Sequence, residues 1–128
     1  MLSIGGIAQV GAGVNFQTVE TVIVATPETS VPKDSVLALI QWSVYLQVGT
    51  ATTSLNFIVR RPGVLTGTAI PAIITRTVVA GNFELFSFTY VDRVLGFGTC
   101  SWCVTGQGVG STGNNSVSVA TIAAIFLQ

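Results

Sequence analysis

The side chains that could do chemistry in this chain are few, and their types set narrow limits. Its 128 residues include no histidine, five acids (Glu20, Glu28, Asp34, Glu84 and Asp92), five Lys and Arg, and two cysteines, Cys100 and Cys103. Without histidine there is no ordinary general base near neutral pH, no Ser-His or Cys-His nucleophile pair, and no imidazole for zinc. Two of the acids could converge as a glycosidase pair. They fall in separate segments, however, where solvated loop or strand-edge charge is the simpler expectation, and a small sandwich leaves little room for a deep polysaccharide cleft. Cys100-Ser101-Trp102-Cys103 has the spacing of a redox or metal motif. A redox pair needs a helix N-terminus to depress a thiol pKa, and zinc needs two further ligands that the sequence does not supply. Inside a strand, residues three apart point to opposite faces. Two separate buried thiols are therefore expected, with a disulfide through a distorted strand or to another subunit as the alternative. No catalytic residue, metal or cofactor is assigned. The glycines Gly106, Gly108, Gly110 and Gly113 lack a following lysine and helix, so they make a flexible loop and no phosphate cradle.

The elements that carry these residues are strands. Thr18 to Thr26 is rich in β-branched residues and stops at Pro27. From Ile40 to Val48 the pattern has period two, with Ile40, Trp42, Val44, Leu46 and Val48 on one face and Gln41, Ser43, Tyr45 and Gln47 on the other. After a turn at Gly49 to Ser54, Leu55 to Arg61 returns as an antiparallel partner, with Leu55, Phe57 and Val59 inward. Ala72 to Val79 (headed by Pro71), Phe83 to Val94, and Thr99 to Thr105 follow as strands, with bends at Gly81-Asn82 and at Gly96 and Gly98. Gly106 to Asn115 is expected as a loop. Ser116 to Leu127 closes the chain with two apolar faces, one carrying Ala120, Ile122, Ala124 and Phe126. Burial on both sides is implied, the second side by another subunit. The expected fold is an all-β antiparallel sandwich of about eight strands, a jelly roll. Residues 18–128 form its one domain, and the glycine-punctuated residues 1–17 form an arm or edge strand that packs on its own domain or reaches a neighbour.

Composition limits the partners. Charged residues are 8% of the chain, against about 25% in typical soluble domains, and the formal net charge is zero. A surface built from Thr, Ser, Asn, Gln and Gly does little to keep copies apart, which suits a protein that works assembled. Nucleic acid is not an expected partner, because phosphate binding needs clustered cations and Arg60-Arg61 is the sole adjacent pair. A membrane is not expected either, since the uncharged run from Ser35 to Val59 is broken by polar residues in alternation. No basic n-region marks a secretory signal at Met1 to Val10.

The order of the C-terminal two-thirds resembles a known group. A strand ends in Arg60-Arg61. A turn leads to Thr77-Val78-Val79-Ala80-Gly81-Asn82 and then to Phe86-Ser87-Phe88-Thr89-Tyr90-Val91-Asp92. A glycine bend, a strand, a Gly/Asn loop and the closing strand Val117 to Leu127 complete it. From about Val36 to Gln128 this is similar to the small trimeric jelly-roll modules of the broad tumour-necrosis-factor/C1q-like type, found in phage capsid decoration proteins, phage fibre tips and spore-surface proteins. Cys100, Trp102 and Cys103 stand where repeated Tyr and Thr are common in that group. The resemblance implies a homotrimer around a threefold axis, where like charges would meet and are disfavoured. Trp42, Tyr45, Ile122, Ala124 and Phe126 are the expected interface residues. It further implies a virion structural protein that decorates the capsid exterior and contacts the major capsid protein or another virion component. The alternative is a fibre tip or spore-surface head that binds a glycan receptor outside the cell through loops such as Thr66 to Pro71 and Gly106 to Asn115. Because no shaft-like repeat precedes the domain, the first is the leading expectation, and neither is an enzyme.

Overall fold

A computed structural model of the chain describes residues 2–32, 35–70, 73–95, 98–110 and 113–127. Lys33, Asp34, Pro71 and Gly96, which the sequence places in turns or at a strand start, lie outside the described residues. The strands in chain order are β1 (Leu2–Val10), β2 (Val14–Phe16), β3 (Thr21–Ala25), β4 (Thr29–Ser30), β5 (Ser35–Gln47) and β6 (Thr52–Arg61), followed by β7 (Thr68–Ala69), β8 (Ile74–Thr77), β9 (Phe83–Leu95), β10 (Thr99–Cys100), β11 (Cys103–Gly110) and β12 (Asn115–Leu127). No helix occurs among the described residues. Among the described residues ten of these strands build the two sheets of the sandwich, β2 and β7 as short flanking pieces beside eight longer strands, and β4 pairs with β10 apart from them.

Two antiparallel sheets face each other, as in a jelly roll. Sheet A has the order β1-β12-β5-β9, with β2 also on β12; sheet B has the order β3-β11-β6-β7, with β8 also on β6. β4 and β10 form a separate two-stranded ribbon. The longest regular ladder joins β5 to β9, from Ser35 opposite Leu95 to Gln47 opposite Phe83 without a register shift. Such a ladder follows from two long β-rich runs, alternating in their central parts, Ile40 to Gln47 and Phe86 to Tyr90, with no Gly or Pro within either strand. The closing strand β12 is central in sheet A, held by β1 and β5 on its two sides.

The inward residues of both sheets form one core. Trp42 lies at its centre with its ring centroid 5.3 Å from both Phe57 and Phe88, while Phe57 meets Phe86 at 4.9 Å and Trp102 meets Phe126 at 6.1 Å. Aromatic rings in tilted contact at these distances bury large apolar areas without repelling one another. The core settles which side of β12 is which. Ala120, Ile122, Ala124 and Phe126 point into the sandwich, and Trp42, Ile122, Ala124 and Phe126 are all at most 1% exposed in the single chain. Four of the five expected interface residues are therefore core residues of their own subunit; Tyr45 alone is exposed. Both faces of β12 are apolar, but the outward set is Val119, Ala123, Ile125 and Leu127. A register shift between Val117 and Val119 also moves Val117 to the core side, against simple alternation.

Two further expectations change. The stretch from Gly106 is strand and not loop as far as Gly110, because β11 passes close to β2 and the chain just after it. A Cβ on Gly106 would come within 2.8 Å of both Phe16 and Ile23, and Gly108 N donates to Gln17 O at 2.6 Å. Glycine here permits close approach of backbone rather than flexibility. The expected strand Thr99 to Thr105 is interrupted at Ser101 and Trp102, where β10 leaves to pair with β4 and β11 begins. Trp102 N donates to Thr26 Oγ1 at this break, and Thr26 N donates back to Trp102 O.

Candidate interaction surface

Among the described residues Glu20 and Asp92 do not converge but lie on opposite sides of β6. Arg60 and Arg61 are adjacent in a strand, so their side chains leave on opposite sides, and each takes one acid. On the outer side of sheet B, Arg60 donates through Nε and Nη2 to both carboxylate oxygens of Glu20, at 2.7 and 2.9 Å, and through Nη1 to Gly67 O. Thr105 Oγ1 donates to Glu20 Oε2 at 2.8 Å. The guanidinium beside Glu20 holds its carboxyl below the ordinary range despite partial burial, and Glu20 in turn raises Arg60. On the other side, Arg61 Nη1 meets Asp92 Oδ2 at 2.6 Å, and the Trp102 indole Nε1 donates to the same oxygen at 3.0 Å. Asp92 is 8% exposed, so this carboxylate links β6, β9 and the start of β11 inside the sandwich. The sequence marks the arginine pair but not its acid partners, which come from segments far away in the chain.

The thiols are free and buried. Cys100 belongs to the core, whereas Cys103 is buried outside the core cluster; they are separate buried thiols as expected, but in two strands, β10 and β11, and not in one. Cys103 is covered on the outer side of sheet B by the turn after β6, where a Cβ on Gly63 would come within 2.9 Å of the Trp102 carbonyl and 3.3 Å of Cys103 N. Burial pushes the Cys100 thiol up and the Cys103 thiol up to about 11. Thiols in that state are poor nucleophiles at neutral pH. Among the described residues no group of three or more Cys, Asp or Glu could hold a metal.

What remains is the exterior of the two sheets, and the two exteriors differ. The outer side of sheet B is largely polar: Thr75 donates to Asn56 and Gln107 to the carbonyl of Thr18. The outer side of sheet A is not. One band, across β1, β12, β5 and β9, is the register row Ile4, Ile125, Leu39 and Val91, extended by Leu37 and Leu127. A second band at the far end holds Val119, Tyr45 and Leu85, with Phe83 stacked on Tyr45 at 5.9 Å. Between them run two rows, Ile7, Ala123, Gln41 and Thr89, then Gln9, Thr121, Ser43 and Ser87, polar on β5 and β9, in which the Ser43 and Ser87 hydroxyls lie 3.1 Å apart. Ile4, Leu85 and Val91 are 65%, 64% and 53% exposed. Arg93, at one corner, is the single charged residue on this side among the described residues. No candidate residue but Tyr45 pointed here from the sequence. The signal was present in the alternation of β9, where Phe83, Leu85 and Val91 are apolar on the side opposite Phe86 and Phe88.

No protein-family model and no curated protein matches the chain. Solved structures do. A structure of the Gt strain of infectious bursal disease virus is similar over 94% of this chain with a TM-score of 0.51 and 14% identity; the match spans 31% of that viral chain. A Bacillus endospore appendage from disulfide-linked pili is similar over 92% of this chain and 87% of its own, at TM-score 0.43 and 25% identity. A family 35 carbohydrate binding module from Clostridium thermocellum covers 95% and 97%, at TM-score 0.39 and 8% identity. The chain thus spans about a third of the viral protein it matches. The viral likeness is one of fold, the antiparallel jelly roll.

Proposed function

We propose that this chain is a non-catalytic structural protein of an ordered particle surface, a capsid decoration protein that assembles as a homotrimer and contacts the major capsid protein or another virion component. The observation that carries the reading is the outer side of sheet A on a jelly-roll sandwich, largely apolar and with Arg93 as its single charge among the described residues. A soluble monomer rarely exposes contiguous apolar surface beyond a few hundred Å². The jelly roll shared with the infectious bursal disease virus structure is consistent with such a role. The state of the reactive groups supports it too: Glu20 and Asp92 are each committed to an arginine, and both thiols are buried. The place of action is then the exterior of the particle. Quantitative mass spectrometry of purified particles tests the reading: a decoration protein is present in a copy number comparable to that of the lattice protein, and absence or a handful of copies refutes it.

One observation favours a second reading, a surface module that binds glycan. The stacked Tyr45 and Phe83 rings form an exposed aromatic pair beside neutral hydrogen-bonding groups, Gln47, which is opposite Phe83, and the Ser43 and Ser87 hydroxyls. A saturable signal on a glycan array, abolished by Tyr45→Ala, would carry that reading over the first.

A further inference from the structure

We infer that the outer side of sheet A is the surface through which copies of this chain bind one another, the occupant of that surface being a second copy and not a different protein. The inference rests on the self-assembling reading above and assigns it a place on the molecule. Three properties of the surface select the occupant.

The first is size. Four strands about 4.8 Å apart, over the ten-residue rise from Leu37 to Gln47, present roughly 650 Å² of sheet. Standard stable interfaces take roughly 600–1,000 Å² from each partner, so the face by itself reaches the lower end of that range.

The second is charge. A heterologous partner recognised by electrostatics would need complementary ions, and the face offers Arg93 alone, at its corner, with none in the middle. A copy of this chain brings the same uncharged surface and, at zero formal net charge, no long-range repulsion.

The third is pattern. The bands of Ile125 and Leu39 and of Tyr45 and Leu85 can each cover an apolar band of a neighbour. On β5 and β9 the strip between them is built from amide and hydroxyl groups, which both donate and accept and so can pair with any polar part of a copy brought to them around a threefold axis, while Ile7 and Ala123 add apolar surface on β1 and β12. Self-recognition needs groups of this kind, because a strip of carboxylates or ammonium groups would repel its own copy. Among the described residues the outer side of sheet B is broken by Asn56, Thr75, Thr105 and Gln107 and carries the Glu20–Arg60 pair.

The test is the mass of the full-length protein by size-exclusion chromatography with light scattering. It is run over a hundredfold range of concentration for the native chain, for Leu39→Lys and Ile125→Lys in the first band, for Leu85→Lys in the second, and for Thr75→Lys on sheet B. These side chains lie outside the core, and circular dichroism at low concentration checks that each variant keeps its fold. The native chain and Thr75→Lys are expected at a multiple of the 13.3 kDa chain mass. Each face variant is expected to raise the dissociation constant at least about thirtyfold, the effect of losing a central contact residue, and to run as a monomer in the micromolar range. If the native chain assembles and the face variants assemble equally, this surface is not the interface, while the decoration reading stands. If the native chain is a monomer throughout, the inference and the homotrimer fall together, and the copy number in particles decides the decoration reading separately.

Discussion

Replacing Asp92 by alanine tests the internal polar link on which the sandwich closes. One carboxylate oxygen accepts from Arg61 at 2.6 Å and from the Trp102 indole at 3.0 Å, and the Asp92 side chain is 8% exposed. Removing it deletes a charge-assisted hydrogen bond, worth about 1.5–3 kcal/mol, and strands a fully buried indole N–H, which costs about 1–3 kcal/mol. Arg61 is 29% exposed in its side chain and can recover part of its loss from water, so the sum lies near the lower end, about 3 kcal/mol. For a chain of this length that is a fall in Tm of roughly 12 °C. Asp92→Asn keeps an acceptor for the indole and loses only the charge, so about half the shift is expected. Thermal unfolding followed by circular dichroism at pH 7, with all variants at one concentration because association adds to apparent stability, reads both values. A fall of less than about 3 °C for Asp92→Ala, or equal falls for the two variants, refutes the assignment of this carboxylate as a buried link.

Three other outcomes follow from the same structure. Ile122→Ala should lower unfolding free energy by about 3 kcal/mol in urea, as for truncation of a fully buried aliphatic side chain, and leave the assembled mass unchanged; a changed mass with unchanged stability would return Ile122 to an interface. Glu20 has its pKa depressed by Arg60, so its ionised form stabilises the fold above the unfolded-state value near 4.5, and that stability is lost as pH falls through the lower folded-state value. The native chain should therefore lose stability on acidification below about pH 4.5 more steeply than Glu20→Gln, and parallel pH profiles would contradict the link. Cys100 and Cys103 should resist an aromatic disulfide reagent at pH 7.5 in the native protein and react fully once it is unfolded, because burial raises both thiols; rapid labelling of the folded chain, or a disulfide in the intact mass, contradicts this.

Much of the architecture was legible because the central parts of β5 and β9 obey period two. Ile40 to Gln47 and Phe86 to Tyr90 announce their inward and outward residues directly, and the structure pairs them in an unbroken ladder, but β9 runs on through the expected bend at Asp92 and turns that acid inward. The two apolar sides of β12 were legible as well, but not which of them faces the core. That choice depends on the opposing sheet, where Phe57 and Trp102 fill the space against Trp42 and Phe126, and no local pattern encodes it. The glycines of β11 misled because the residue that suits a loop also suits a strand with a neighbour pressed against it, as Phe16 is against Gly106. The ion pairs were hidden for a related reason: Glu20 and Arg60 are 40 residues apart, and Arg61 and Asp92 are 31 apart.

The account turns on whether the outer side of sheet A is covered when copies meet, and hydroxyl-radical footprinting across a dilution series measures that residue by residue. Tyr45, Phe83 and Leu85 should be protected at high concentration and become reactive together as the protein is diluted and its mass falls, while Val19, exposed in a loop away from this face, reacts equally throughout. Reactivity of those three side chains that stays constant while the mass changes would contradict it.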